Sequence, residues 1–327
     1  MRTILVLLAG SVACFAQAAD WMAMGKGGSV RSRDGHMLFA YDLQPGRMSM
    51  AVRPAPGDLA GMQRLRFRVR ASADMPVALL LSERRPGGAN YNAIFWAPAN
   101  AWQEVELTPA DFSVSDGRSD PPDPDGKLDL DQVEGMGVFD LAQFFLNQPD
   151  NPEVPVAIDR PTGSRTLELE GLEVVRGAPA AVRRSIDDFD RGFITWITTG
   201  GMKLRLAPKP NPLDLPALEA TASAAGGRFG LLVRRVANLD LARAARLTFD
   251  VASENETTLV VSLETKSGKR FNQTVYPPGK REVFHVRLKL ADFEGDGEFD
   301  PVQWKSLAIA DASGEPNTLW LAHVAVE

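Results

Sequence analysis

The sequence predicts an all-β protein made of two tandem antiparallel β-sandwiches of the jelly-roll kind. Three observations carry that expectation: polar and apolar residues alternate with a period of two, Gly- and Pro-rich turns punctuate the alternating runs, and the second half repeats the first. The chain has 327 residues, 44% of them apolar, which is enough material for two cores. Its 42 acidic and 36 basic side chains are interleaved, leaving a formal charge of -6 and no basic cluster to meet a nucleic-acid backbone.

In chain order, Arg2 precedes an apolar run from Ile4 to Phe15, and Ala16-Gln17-Ala18 forms a small-x-small cleavage signal. Residues 1–18 therefore read as a secretory signal peptide, because the run is shorter than the roughly 20 residues that a membrane span needs. No later segment is apolar enough to be transmembrane, so a periplasmic or secreted soluble protein of a bacterial kind is expected. Cys14 is the sole cysteine. Ser11-Val12-Ala13-Cys14 is a poor lipoprotein box, since Ser11 stands where a large aliphatic residue is usual. If Cys14 leaves with the leader, disulfides, zinc-thiolate sites and thiol nucleophiles leave with it.

The repeat organises the rest. Leu59-Ala60, Arg64-Leu65, Phe67 and Val69 recur as Leu241-Ala242, Arg246-Leu247, Phe249 and Val251. Ala110-Asp111-Phe112 recurs as Ala291-Asp292-Phe293, and the run from Leu128 to Asp140 as that from Phe299 to Asp311. The closing strands Thr166–Val174 and Thr318–Val326 match as well. The offset shrinks along the chain because the first copy carries Pro-, Asp- and Asn-rich insertions near Ser115–Asp125 and between Leu141 and Gly163, which read as loops. These matches place the first sandwich at 19–175, a linker at 176–184 and the second sandwich at 185–327.

Within each copy, Arg64–Arg70 and Arg246–Val251 alternate as half-buried strands. Val77–Ser82 and Thr258–Leu263 are apolar runs suited to the centre of a sheet. Glu104–Leu107, Val283–Leu290 and the closing strands alternate again, and Pro86-Gly87-Gly88, Ser267-Gly268 and Pro277-Pro278-Gly279 mark turns. Helical spacing is confined to short stretches, notably Asp131–Met136.

The strings Tyr91-Asn92-Ala93-Ile94-Phe95-Trp96 and Trp102–Leu107, with Asp111-Phe112, Leu128-Asp129 and the closing Leu167–Val175, resemble the galactose-binding-like β-sandwich. Within it they are most similar to non-catalytic carbohydrate-binding modules and the complex I intermediate-associated protein domain. The second copy adds the usual opening of such domains, Ile186-Asp187-Asp188-Phe189-Asp190 followed by Trp196, and Trp21 stands where Trp196 predicts a counterpart. The resemblance implies a shallow face or loop rim where aromatics stack on sugar rings while Arg, Asn, Gln and Asp bond hydroxyls. The function it implies is recognition of a polysaccharide with no bond broken. A rival reading is an envelope assembly module that holds another protein, carried by the apolar tip Phe144-Phe145-Leu146. The two differ in what they expose: Trp96 and Tyr276 for a glycan, Phe144–Leu146 for a protein.

Trp102 and Phe112 read as core. On one face of their strands, Asn92 with Trp96 and Asn272 with Tyr276 are the candidate ligand-binding residues, weighed against ordinary sheet-surface roles. A structural calcium ion is the one cofactor suggested. Asp292, Glu294, Asp296 and Asp300 have the odd-position spacing of a calcium loop with its Gly297, although Gln303 stands where a bidentate Glu would close it and an Asp-Gly turn is the plainer reading. Asp123 with Asp125, Asp129 and Asp131 is a poorer version. Related modules hold calcium near the first and last strands, where Asp187, Asp188 or Asp190 could serve; Ala322-His323 lacks the usual acid there. No enzyme is expected: His36, His285 and His323 lack metal-ligand spacing, and no nucleophile elbow, phosphate loop or dinucleotide fingerprint occurs.

Overall fold

The computed structural model describes residues 20–327 except 58, 85–87, 116–122, 124–126, 148–160, 178–184, 200–201 and 223–229. The segment expected to be a leader, Cys14, Asp125 and most of the expected linker lie outside the described residues. The described part falls into two compact units, one ending at Gly177 and one starting at Ser185.

Unit 1 is a two-sheet sandwich. One sheet has the order β1 (Met22–Gly25), β4 (Ser49–Pro54), β10 (Val133–Asp140), β6 (Met75–Glu83), β7 (Asn90–Ala97) and β9 (Ser113–Val114). The other runs β2 (Gly28–Arg33), β3 (His36–Leu43), β11 (Gly163–Arg176), β5 (Met62–Ala71) and β8 (Gln103–Leu107). Every pairing is antiparallel. Alternation decides which face is covered: Met37, Phe39, Leu65, Phe67 and Val69 face Val77, Leu79, Tyr91 and Phe95 between the sheets, and all are buried. Phe67 and Phe95 meet edge to face at 5.3 Å across that core.

Unit 2 repeats this wiring strand for strand. One sheet runs β13 (Ile197–Thr199), β16 (Gly230–Arg235), β22 (Trp304–Asp311), β18 (Leu259–Thr265), β19 (Arg270–Val275) and β21 (Glu294–Gly295). The other runs β14 (Lys203–Leu206), β15 (Leu218–Ala222), β23 (Asn317–Val326), β17 (Arg246–Ser253) and β20 (Phe284–Lys289), with β12 (Ser185–Asp187) added beside β23. The ladders agree in register: Leu65 faces Leu107 as Leu247 faces Leu288, and Glu168 faces Arg70 as Trp320 faces Ala252. Trp21 and Trp196, each just ahead of the edge strand of its unit's six-stranded sheet (β1 and β13), are both buried. The Trp196 indole donates to Asp187 at 2.9 Å.

Two equivalent carboxylates end β10 and β22. Asp140 is fully buried, accepts from Tyr41 Oη and the Ala142 amide at 2.9 Å each, and lies 3.5 Å from Arg165. Burial pushes its carboxyl above the ordinary range. Asp311 accepts from Thr257, Ser313 and Asn317. Each ties the end of a central strand to the turn that follows.

Two sequence expectations are corrected. Asp131–Met136 is not helical: a 3-10 turn spans Leu130–Gln132 and strand β10 begins at Val133, because Val133, Met136 and Val138 are drawn into the sandwich. The single described α-helix is α1 (Leu141–Leu146), capped by Asp140. Phe144 and Phe145 are half-buried and Leu146 buried, so the apolar tip proposed for a protein partner is not exposed.

Candidate functional site

The residues expected to hold ligand occupy equivalent positions in the two units. Trp96 pairs with Pro76 and Asn92 with Leu80 on β6, while Asn272 pairs with Ser262 on β18 and Tyr276 follows the end of β19. Tyr91, Ala93 and Phe95 point inward and are buried, so Asn92, Ile94 and Trp96 lie on the outer face. The two faces have different chemistry. In unit 1, Leu80 and Val52 share the row of Asn92 and Phe139 that of Ile94, all three nearly buried, and Trp96 is itself half-buried. In unit 2 small side chains, Ser262, Ala308 and Ala310, lie between Leu231 and Val233 on one flank and Asn272 and Thr274 on the other. Tyr276 is 67% exposed. Ser262 Oγ donates to Asn272 Oδ1 at 2.5 Å, occupying the amide oxygen.

The acidic loop of unit 2 does not gather its carboxylates. Asp292, Glu294, Asp296 and Asp300 are all exposed. Asp300 caps the Val302 amide at 3.0 Å, and Asp296 lies 3.6 Å from Lys269 Nζ. Among the described residues, no group of three or more His, Cys, Asp or Glu is placed to hold a metal ion. Asp187 is spent on Phe189, Thr195 and Trp196.

The outer face of the β2-β3-β11-β5-β8 sheet holds a set that the sequence reading missed. Trp102 is not core. Val105 and Leu107 point inward, so Glu104, Glu106 and Trp102 share the outward phase, and that alternation is the signal that could have found it. Its indole, half-buried, lies beside the guanidinium groups of Arg68 and Arg70 at 5.2 and 4.8 Å, with the His36 ring edge-on at 6.1 Å. Such cation–π contacts hold an indole in one orientation.

Arg64, Arg66, Arg68 and Arg70 form a stripe along β5, and every one is paired. Arg64 and Arg66 reach Glu106 at 3.3 and 3.1 Å, and Arg68 reaches Glu170 at 2.6 Å. Arg70 grips Glu168 through two bonds of 2.9 and 2.8 Å, and His36 Nε2 meets the same carboxylate at 3.1 Å. The hydrogen bonds from Arg70 hold the Glu168 carboxyl below the ordinary range, and Glu168 in turn raises Arg70.

Along β11 and β3 this charged field gives way to a cavity of about 350 Å³ lined by Gly27, Ser29, Ala40, Asp42, Ser72, Ser164, Thr166 and their neighbours. Ser164 Oγ donates to Asp42 at 2.8 Å, and Ser72 Oγ accepts from the Thr166 amide at 3.0 Å. A flat aromatic, fixed donors and acceptors, and a hydroxyl-lined hollow thus share one sheet face.

No family model and no curated protein matches the chain. Solved structures do. A family 11 carbohydrate-binding module from Clostridium thermocellum, in complex with a β-1,3-1,4-mixed-linked tetrasaccharide, is 12% identical with a TM-score of 0.35, covering 44% of this chain and 94% of that one. A family 30 module of a cellulosomal cellulase of Clostridium thermocellum is 14% identical with a TM-score of 0.32, covering 38% and 82%. An exo-β-agarase is 11% identical with a TM-score of 0.38, covering 44% of this chain and 25% of its own. The β-sandwich class is read from this chain's own sheets.

Proposed function

We propose that the protein binds an uncharged polysaccharide on the outer face of the β5–β8–β11 sheet of unit 1 and breaks no bond in it. The observation that carries this reading is Trp102, laid beside Arg68 and Arg70 on the sheet that also holds the hydroxyl-lined hollow. A sugar ring offers a C–H face to an indole and hydroxyls to charged groups, and stacking of this kind contributes about 1 kcal/mol. Ion pairing keeps the hydrogen-bonding groups in place before ligand arrives, which lowers the ordering cost of binding. The same pairing argues for a neutral ligand: each guanidinium on β5 already faces a carboxylate, so a sulfate or uronate would compete with Glu106, Glu168 or Glu170. The leader read from residues 1–18 supports a periplasmic or secreted location, where such polymers are met.

The test is binding of the protein to immobilised neutral, uronate-containing and sulfated polysaccharides, with and without a chelator. Expected are saturable binding to a neutral polymer, little change between low and high salt, and about fivefold weaker binding in Trp102→Ala, the equivalent of about 1 kcal/mol. Binding that survives Trp102→Ala unchanged, or no binding across the panel, overturns the proposal. Loss in Tyr276→Ala instead would move the site to unit 2.

A further inference from the structure

The shared wiring of the units gives the unit 1 face a counterpart: the outer face of the β14-β15-β23-β17-β20 sheet. By register, Val283 takes the place of Trp102, Asp250 that of Arg68, Ala252 that of Arg70 and Trp320 that of Glu168. A tryptophan, an arginine and a glutamate still meet there. The Trp320 indole donates to Glu219 at 3.3 Å, Arg205 holds Glu219 at 2.6 Å, and Arg281 stands 5.5 Å from the ring.

The connections entering the two sheets differ. In unit 1, β2 turns into β3 through Asp34-Gly35 alone, with φ of 51° and 78°, the left-handed pair of a tight hairpin. A two-residue turn is too short to fold back over the face. In unit 2 the same connection runs from Ala207 to Ala217 and folds back over the sheet. Leu213 and Ala217, flanked by Ala207 and Leu215, pack on Ala252, Trp320 and Ala322, leaving Trp320 only 6% exposed. The segment is tied to itself: Asn211 Oδ1 accepts from the Leu213 amide at 3.0 Å, Asn211 Nδ2 donates to the Leu215 carbonyl at 2.8 Å, and the Ala207 amide reaches the Ala217 carbonyl at 2.8 Å.

We infer that each chain carries one open sugar face, in unit 1, and that residues 207–217 act as a built-in occupant of the second. The stoichiometry rests on the glycan reading above; the self-occupancy rests on packing alone. Stacking of Leu213 and Leu215 on that face supplies the apolar contact that a sugar ring would make, and an intramolecular occupant has no translational freedom to lose.

Two measurements decide it. Calorimetric titration of the full chain with neutral hexasaccharides, cellohexaose and laminarihexaose among them, is expected to give one site, weakened in Trp102→Ala and unchanged in Trp320→Ala. Two sites, or loss in Trp320→Ala alone, overturns the inference and leaves sugar binding standing; no heat with any hexasaccharide overturns the glycan reading instead. Hydrogen exchange of the unliganded chain tests the occupant without sugar. The Leu213 and Ala207 amides are expected to exchange at least tenfold more slowly than unstructured backbone, and exchange at the unprotected rate refutes self-occupancy.

Discussion

Glu168 is the residue on which the unit 1 face turns, and Glu168→Gln measures its contribution. Its side chain is 17% exposed and that of Arg70 36%, with two short bonds between them and a third from His36. An exposed ion pair is worth about 0.2–1 kcal/mol, and breaking a fully buried one costs about 3–5 kcal/mol. This half-buried, two-pronged pair belongs between, so the substitution is expected to destabilise unit 1 by about 1–2 kcal/mol at pH 7. Hydrogen exchange read by mass spectrometry gives that number strand by strand. Amides of β5 and β11 should exchange about 5 to 30 times faster, while those of β17 and β23 serve as an internal control. The pH dependence follows in sign. Arg70 depresses the Glu168 carboxyl in the folded state, so the pair stabilises above the ordinary carboxylate value of about 4.3 and stops doing so as pH falls through the lower folded value. The difference between wild type and Glu168→Gln should therefore shrink in acid, after correction for intrinsic exchange. A penalty below about 0.3 kcal/mol at pH 7, or one that stays constant into acid, refutes the reasoning.

Three further outcomes are expected. Asp140→Ala leaves Tyr41 Oη and Arg165 without their buried acceptor and should cost about 3–5 kcal/mol in urea unfolding, because an unpaired buried charge remains. Gly171, at φ 65° in the bulge of β11, has open space around its missing Cβ, so Gly171→Val tests backbone strain alone and should cost about 1–2 kcal/mol by thermal denaturation. Tyr276→Ala removes an exposed ring and should change stability by less than about 0.5 kcal/mol in the same assay.

The bulge at Gly171 shows how the copies diverged. Its counterpart in β23 is His323, which keeps the left-handed conformation at φ 50° without being glycine. There His323 and His285 both face Asp250, at 3.3 and 2.6 Å, where unit 1 has Arg68 among glutamates. The same backbone device thus carries opposite charge patterns in the two units. The repeat aligns these positions, and the ladders show which of them meet.

The sequence by itself determined the sandwich class, the repeat and the alternation of nearly every strand, because burying one face of a sheet imposes a period of two that survives substitution. It also determined which of Tyr91, Asn92 and their neighbours share a face, by the same rule. Trp102 escaped because it precedes its strand: its position is core in the fold that the chain resembles, although its phase with Glu104 and Glu106 turns it outward here. The 3-10 turn before β10 escaped because one turn of helix and the start of a strand look alike over six residues. Tertiary structure alone decided which outer face is open. Trp96 and Tyr276 are equivalent in the repeat, yet one is half-buried and the other stands in solvent. The segment from Ala207 to Ala217 reads as an ordinary loop until it is seen lying over Trp320. Side-chain alternation is a local property written residue by residue, whereas coverage of a face depends on where a distant connection comes to rest.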